Sequence, residues 1–102
     1  MLDAYVEHDA TGLAALIARR ELSAAEVLEA ALARAAKVNP GLAAICLPME
    51  DIARARVAGP LAGPFAGVPF LLKDMAQDYA GVPSPTGSLK LPRQNGPQEA
   101  IH

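Results

Sequence analysis

The sequence holds a single cysteine, two histidines and no tryptophan, and only 4% of it is aromatic. One cysteine excludes an intrachain disulfide, and a reducing compartment suits that usage. Cys46 lies in the apolar run Leu42-Ala43-Ala44-Ile45-Cys46-Leu47. It is therefore expected to be an inert buried thiol, packed as a small hydrophobe. His8 and His102 stand at opposite ends of the chain, with no second ligand spaced for a metal, so no zinc site is expected. An excess of one charge is missing too: nine Lys and Arg face 11 Asp and Glu, a net charge of −2. A nucleic-acid surface needs clustered positive charge, so no nucleic-acid partner is expected. Arg19-Arg20, Arg54 and Arg56 read as solvated helix ends and faces.

Long apolar runs are also absent. The longest uncharged stretch, Val57 to Leu72, is interrupted by Pro60, Pro64 and Pro69 and by three glycines. A spanning helix needs roughly 20 apolar residues without such breakers, which excludes a membrane partner on this reading. Met1-Leu2-Asp3-Ala4 does not open a basic segment followed by an apolar one, so no signal peptide is expected and the location reads as cytoplasmic.

What is present is apolar mass in small packets. With 102 residues and 52% of them apolar, the chain can bury a modest core and amounts to at most one small domain. Asp9 is placed to cap a helix running to about Arg20, with Leu13, Leu16 and Ile17 as its apolar stripe. Ser23-Ala24-Ala25-Glu26 is a capping box: the hydroxyl accepts from the backbone N–H of Glu26, and the carboxylate reaches back to the N–H of Ser23. Val27, Leu28, Ala31, Leu32, Ala35 and Val38 then recur at helical spacing, until Asn39-Pro40-Gly41 is expected to stop the helix. The two helices should form a hairpin with one apolar seam.

Leu42 to Leu47 reads as a short buried strand, and Glu50 to Ala58 as a third helix with Arg54 and Arg56 exposed. "AGPLAGPFAGVP" follows as an ordered crossing loop, and Gly67 to Leu72 is the best strand in the chain. Residues 92–102, "PRQNGPQEAIH", have no apolar periodicity and are expected to be a frayed tail.

Lys73 closes that last strand, against Val68-Pro69-Phe70-Leu71-Leu72. A lysine ordinarily titrates near about 10.4, and it becomes a usable base only when burial or neighbouring cations lower that value. Pattern alone leaves two readings of Lys73 open: a solvated charge at a strand end, or a base.

"GPLAGPFAGVPFLLKD", followed by "GVPSPTGS" at Gly81 to Ser88, closely resembles the amidase signature family. The order of two helices, Asn39-Pro40 and a short apolar strand is also similar to that family's N-terminal region, and the likeness covers about residues 5 to 91. Within the family it points towards the cyclic-amide and nylon-oligomer hydrolases among others. The resemblance implies an α/β fold, in which residues 1–91 are the N-terminal part of an α/β/α domain, a helical hairpin followed by short strands, and residues 92–102 do not match.

It also implies that Lys73 is the catalytic base of a set containing two serines, one held by a cis peptide bond and one acting as nucleophile. A small-molecule amide would be the substrate, with no cofactor. Both serines of the family lie well downstream of the lysine, in a Gly- and Ser-rich segment that this sequence lacks. Of the serines here, Ser23 is committed as a cap, while Ser84 and Ser88 match a stretch whose implied role is structural or site-lining. The chain by itself is therefore expected to be an inactive fragment, a substrate being handled only after completion by the missing region. Sheet edges left exposed would favour self-association. The alternative is a small helical binding module in which Lys73 is structural.

Overall fold

Asp9 opens the first well-formed helix as the sequence predicts. In the computed structural model, which describes residues 2–73, 79–80 and 82, its carboxylate accepts the Gly12 N–H at 2.8 Å. Helix α1 spans Leu2–Glu7, α2 Ala10–Ala18, α3 Ala24–Leu42 and α4 Glu50–Val57. The chain divides into two units, Met1–Pro69 and Phe70–His102; all four helices belong to the first.

Helix α2 ends two residues earlier than its apolar stripe predicts, because the chain reverses at Arg20. Arg20 adopts a left-handed φ of 61°. Its N–H donates to Ile17 O and the Glu21 N–H to Leu16 O, both at 3.0 Å. These are the two bonds of a Schellman closure, in which glycine ordinarily takes the left-handed place. A residue with a Cβ is strained there by roughly 1 kcal/mol. The exposed Arg20→Gly variant is accordingly expected to raise stability by up to about 1 kcal/mol in thermal unfolding; no change or a loss would show that the arginine side chain contributes more than the strain costs.

Helix α3 begins on the complete capping box. Ser23 Oγ accepts the Glu26 N–H at 3.1 Å, and Glu26 Oε1 accepts the Ser23 N–H at 3.2 Å. The predicted stop at Asn39-Pro40-Gly41 is overrun: the helix contains Pro40 and continues to Leu42, ending at Ala43 with φ 51°. Proline forfeits one N–H and crowds the preceding turn, yet in a final turn little ladder remains to be lost. Asn39 also accounts for the chain beyond: its side-chain amide donates to Ile45 O at 3.1 Å and accepts the Ile45 N–H at 2.8 Å. One side chain thus satisfies both backbone groups that a strand would have paired elsewhere.

The predicted strand at Leu42–Leu47 does not form. Leu42 ends the helix and is 68% exposed, and Cys46 is exposed, which corrects the expectation of a buried thiol. Apolar composition marks this run as interior, but no neighbouring described segment offers it a ladder.

Among the described residues Leu13, Val27, Leu28 and Ala30 are buried, with Val27 fully enclosed. Helix α3 packs chiefly against α1 and α4, so the predicted seam between the second and third helices is not the main one. The α1 contribution has no counterpart in the sequence reading. Helix α4 matches its prediction closely, with Ile52, Ala53 and Val57 half-buried and Arg54 and Arg56 exposed. Arg54 joins it to α3 as a fork: Nε and Nη2 donate to the two Glu29 carboxylate oxygens at 3.1 and 3.0 Å. Glu50, one turn earlier, lies 3.8 Å from Arg54.

The hydrogen bond and then the charge of Arg54 hold the Glu29 carboxyl below its ordinary 4.5, against an opposing effect of desolvation. A carboxyl lowered in the folded state stabilises above its unfolded pKa, and this contribution is lost as pH falls through the lowered value. Both side chains are about half exposed, so the effect is small. Denaturation followed from neutral pH into the acid range is expected to show a slightly weaker acid loss for Glu29→Gln than for the unchanged chain.

Candidate functional site

The segment that carries the family resemblance starts as a Pro/Gly loop and is ordered by two turns. The Ala66 N–H donates to Gly63 O at 3.2 Å, and the Val68 N–H to Phe65 O at 3.0 Å. Gly63 has φ +103° and Gly67 φ +87°, a region that side-chain-bearing residues rarely enter. Gly67 is constrained a second time. A Cβ there would lie 2.9 Å from Ala24 Cβ and 3.3 Å from two carbons of Ile17. The loop therefore presses its backbone onto the end of α2 and the first turn of α3, and only a glycine permits that approach. The spacing of four between Gly59, Gly63 and Gly67 is visible in the sequence, but nothing in it distinguishes the glycine that lies against α2 and α3.

Beyond Gly67, Val68 and Pro69 are half-buried and form one wall of a surface cleft of about 350 Å³. Tyr5, His8, Asp9 and Arg34 also line it. The Asp9 carboxylate is already engaged at the helix cap, and Arg34 is exposed.

In the second unit, Phe70 and Leu71 are 77% and 72% exposed, Leu72 is half-buried and Lys73 is exposed. Gly67 to Leu72 is not a strand here. The described residues provide no β-strand alongside it, and a strand exists only through the partner that takes up its N–H and C=O groups. The expected self-association through sheet edges loses its basis for the same reason: among the described residues there is no sheet. Tyr79 and Ala80 are isolated bridge residues, and the Val82 N–H closes a turn on Tyr79 O at 3.0 Å.

Lys73 is thus an exposed side chain among the described residues. Ser23 is a cap, as expected. Asp74, Ser84, Ser88, His102 and residues 92–102 lie outside the described residues, as does the expected boundary after Leu91. Among the described residues no three His, Cys, Asp or Glu side chains cluster where they could hold a metal ion, and no helix is long and apolar enough to cross a membrane.

The comparisons with known proteins give the class: the chain is homologous to amidases, and its match falls on the N-terminal part of those proteins. It is 41% identical over 88 residues to the 6-aminohexanoate-cyclic-dimer hydrolase of Paenarthrobacter ureafaciens, a match covering 86% of this chain and 17% of that protein. It is 40% identical over 86 residues to a Mycobacterium leprae protein designated amidase AmiC, covering 84% of this chain and 18% of the relative. A third relative is a glutamyl-tRNA(Gln) amidotransferase subunit from Acidothermus cellulolyticus, 41% identical over 91 residues, with 81% and 18% covered. The chain therefore spans less than one fifth of the length of these curated relatives. No family model matches the sequence, and no solved structure matches it significantly.

Proposed function

We propose that this chain is the N-terminal part of an amide hydrolase that cleaves carboxylic amide C–N bonds, and that Lys73 is its general base. The observation that carries this reading is the string Gly67-Val68-Pro69-Phe70-Leu71-Leu72-Lys73-Asp74, set within a match of about 41% identity to proteins named as amide-cleaving enzymes. In the mechanism, the neutral Lys73 amine accepts a proton from a relay serine, which takes one from the nucleophilic serine. That serine attacks the amide carbonyl, the amine leaves with a proton returned along the same path, and water releases the acyl group. Backbone N–H groups would stabilise the oxyanion.

Neither serine is assigned to this sequence, so turnover requires the part of the domain that it does not match, and the chain alone is inactive. In the same reading Gly67 to Leu72 becomes a strand of an α/β/α domain once neighbours are supplied, and Lys73 is enclosed at its end. The substrate class is a small amide, linear or cyclic.

The test is a chimera in which residues 5–91 replace the matching segment of the Paenarthrobacter hydrolase. Hydrolysis of the cyclic dimer named for that enzyme supports the reading. A folded chimera with no turnover favours the alternative, a non-catalytic helical binding module.

A further inference from the structure

We propose that the cleft framed by α1, the start of α2, α3 and the Val68-Pro69 segment binds a small amphipathic monocarboxylate, whose charge Arg34 receives and whose apolar body fills the rest. The proposal concerns the first unit alone and does not depend on the role of Lys73. The cleft measures about 350 Å³, at the small end of the range of roughly 300 to 1,000 Å³ for small-molecule sites. The buried Leu13 lies against it, and Val6, Val68 and Pro69 supply further apolar surface. An apolar lining with a few polar groups is the composition of a ligand site rather than of a solvated groove.

The charge on its wall selects the ligand. Arg34 belongs to α3, and the positions one turn away on that helix are Ala30, Ala31, Lys37 and Val38. None of these is acidic, and Lys37 adds a second positive charge on the same side of the helix. Glu29, the glutamate of α3 next in sequence, is held by the Arg54 fork. Among the described residues, neither the Arg34 guanidinium nor the half-buried Tyr5 hydroxyl makes a hydrogen bond or ion pair. A guanidinium takes a carboxylate through two parallel N–H···O bonds, and a phenol can donate a third. Asp9 also lines the cleft. Its carboxylate accepts the Gly12 N–H, and its charge disfavours a second negative group on the ligand. His8, at the same wall, is engaged elsewhere. One negative charge on an apolar body therefore fits better than a phosphate or a dicarboxylate.

In the experiment phenylacetate is titrated into the full 102-residue chain at constant ionic strength and followed by heteronuclear NMR. Acetate, which lacks the apolar body, and 2-phenylethanol, which lacks the charge, are titrated in parallel. The expected result is saturable shifts of the Tyr5, Leu13 and Val68 amides and of Arg34 Nε, in a range where neither partial ligand saturates. Arg34→Gln is expected to weaken binding about tenfold. Arg34 is exposed, so the far-ultraviolet circular dichroism of this variant should match that of the unchanged chain. Arg20→Gln removes the same charge at the end of α2 and is expected to leave the affinity as it was.

Absence of saturable shifts overturns the proposal. So does saturation by 2-phenylethanol at the same concentrations, since the charge would then contribute nothing. Equal weakening by Arg20→Gln and Arg34→Gln overturns it too, by reducing the effect to net charge. Tighter binding of inorganic phosphate than of phenylacetate would assign the wall to a simple anion and remove the apolar body from the argument. This titration and the turnover of the chimera probe different residues, so either can fail without the other.

Discussion

Lys73→Ala in the chimera is expected to lower kcat by about 10³-fold or more with little change in KM. A positioned general base is worth roughly 10² to 10⁴ in rate, and in a set acting as one unit the loss of a member removes most of what the unit contributes. A proton acceptor engaged chiefly in the transition state registers in kcat, whereas a lysine that merely binds substrate registers in KM. Lys73→Arg separates a base from a structural cation. Arginine preserves the charge and much of the reach but does not give up its proton in a protein. If Lys73 is the base, Lys73→Arg is nearly as slow as Lys73→Ala; if it is a structural cation, the arginine variant retains most of the activity. The control is the thermal transition of each variant, which separates a loss of turnover from a loss of fold.

Gly67→Ala is expected to destabilise the first unit by roughly 2 to 3 kcal/mol, a large share of the stability of so small a domain. Two costs combine. The left-handed φ of +87° costs a non-glycine residue about 1 to 2 kcal/mol. The new methyl also lands 2.9 Å from Ala24 Cβ, an atom fixed to the first turn of α3 that cannot swing aside. Relief by backbone movement would separate the loop from both helices and expose Ile17. A double-mutant cycle distinguishes the causes: Ala24→Gly should recover the steric part, on the order of 1 kcal/mol, and leave the φ cost in place. Full recovery would mean that the backbone conformation relaxes freely. Absence of any loss in Gly67→Ala would mean that the loop does not lie against α3. Chemical denaturation read by far-ultraviolet circular dichroism measures both.

These positions differ in how far they are legible in the sequence. Lys73 and Gly67 stand in one motif, yet the role proposed for the lysine comes from resemblance, while the contact made by the glycine emerges only in three dimensions. The capping box is legible in full because Ser23 and Glu26 satisfy backbone groups three residues away. The Asp9 cap and the exposed arginines of α4 are legible for the same local reason. Helix α1 is not, because six residues are too few to display a period. The extent of α3 exceeds its sequence expectation because a proline in the last turn has little ladder to break. Cys46 departs from its expectation because an apolar neighbourhood in sequence is not a buried one in space.

By itself the sequence determined where α2, α3 and α4 begin, the amidase resemblance and the residue on which its chemistry would fall. Each of these depends on groups within a few positions of one another, or on an order of residues. The tertiary structure decided which apolar residues are enclosed, which glycine is indispensable and that Gly67 to Leu72 is not a strand in this chain. A helix satisfies its backbone from within, so its signal is local. A strand and a buried lysine are both completed by other segments, and the described residues supply no such segment for Phe70 to Lys73.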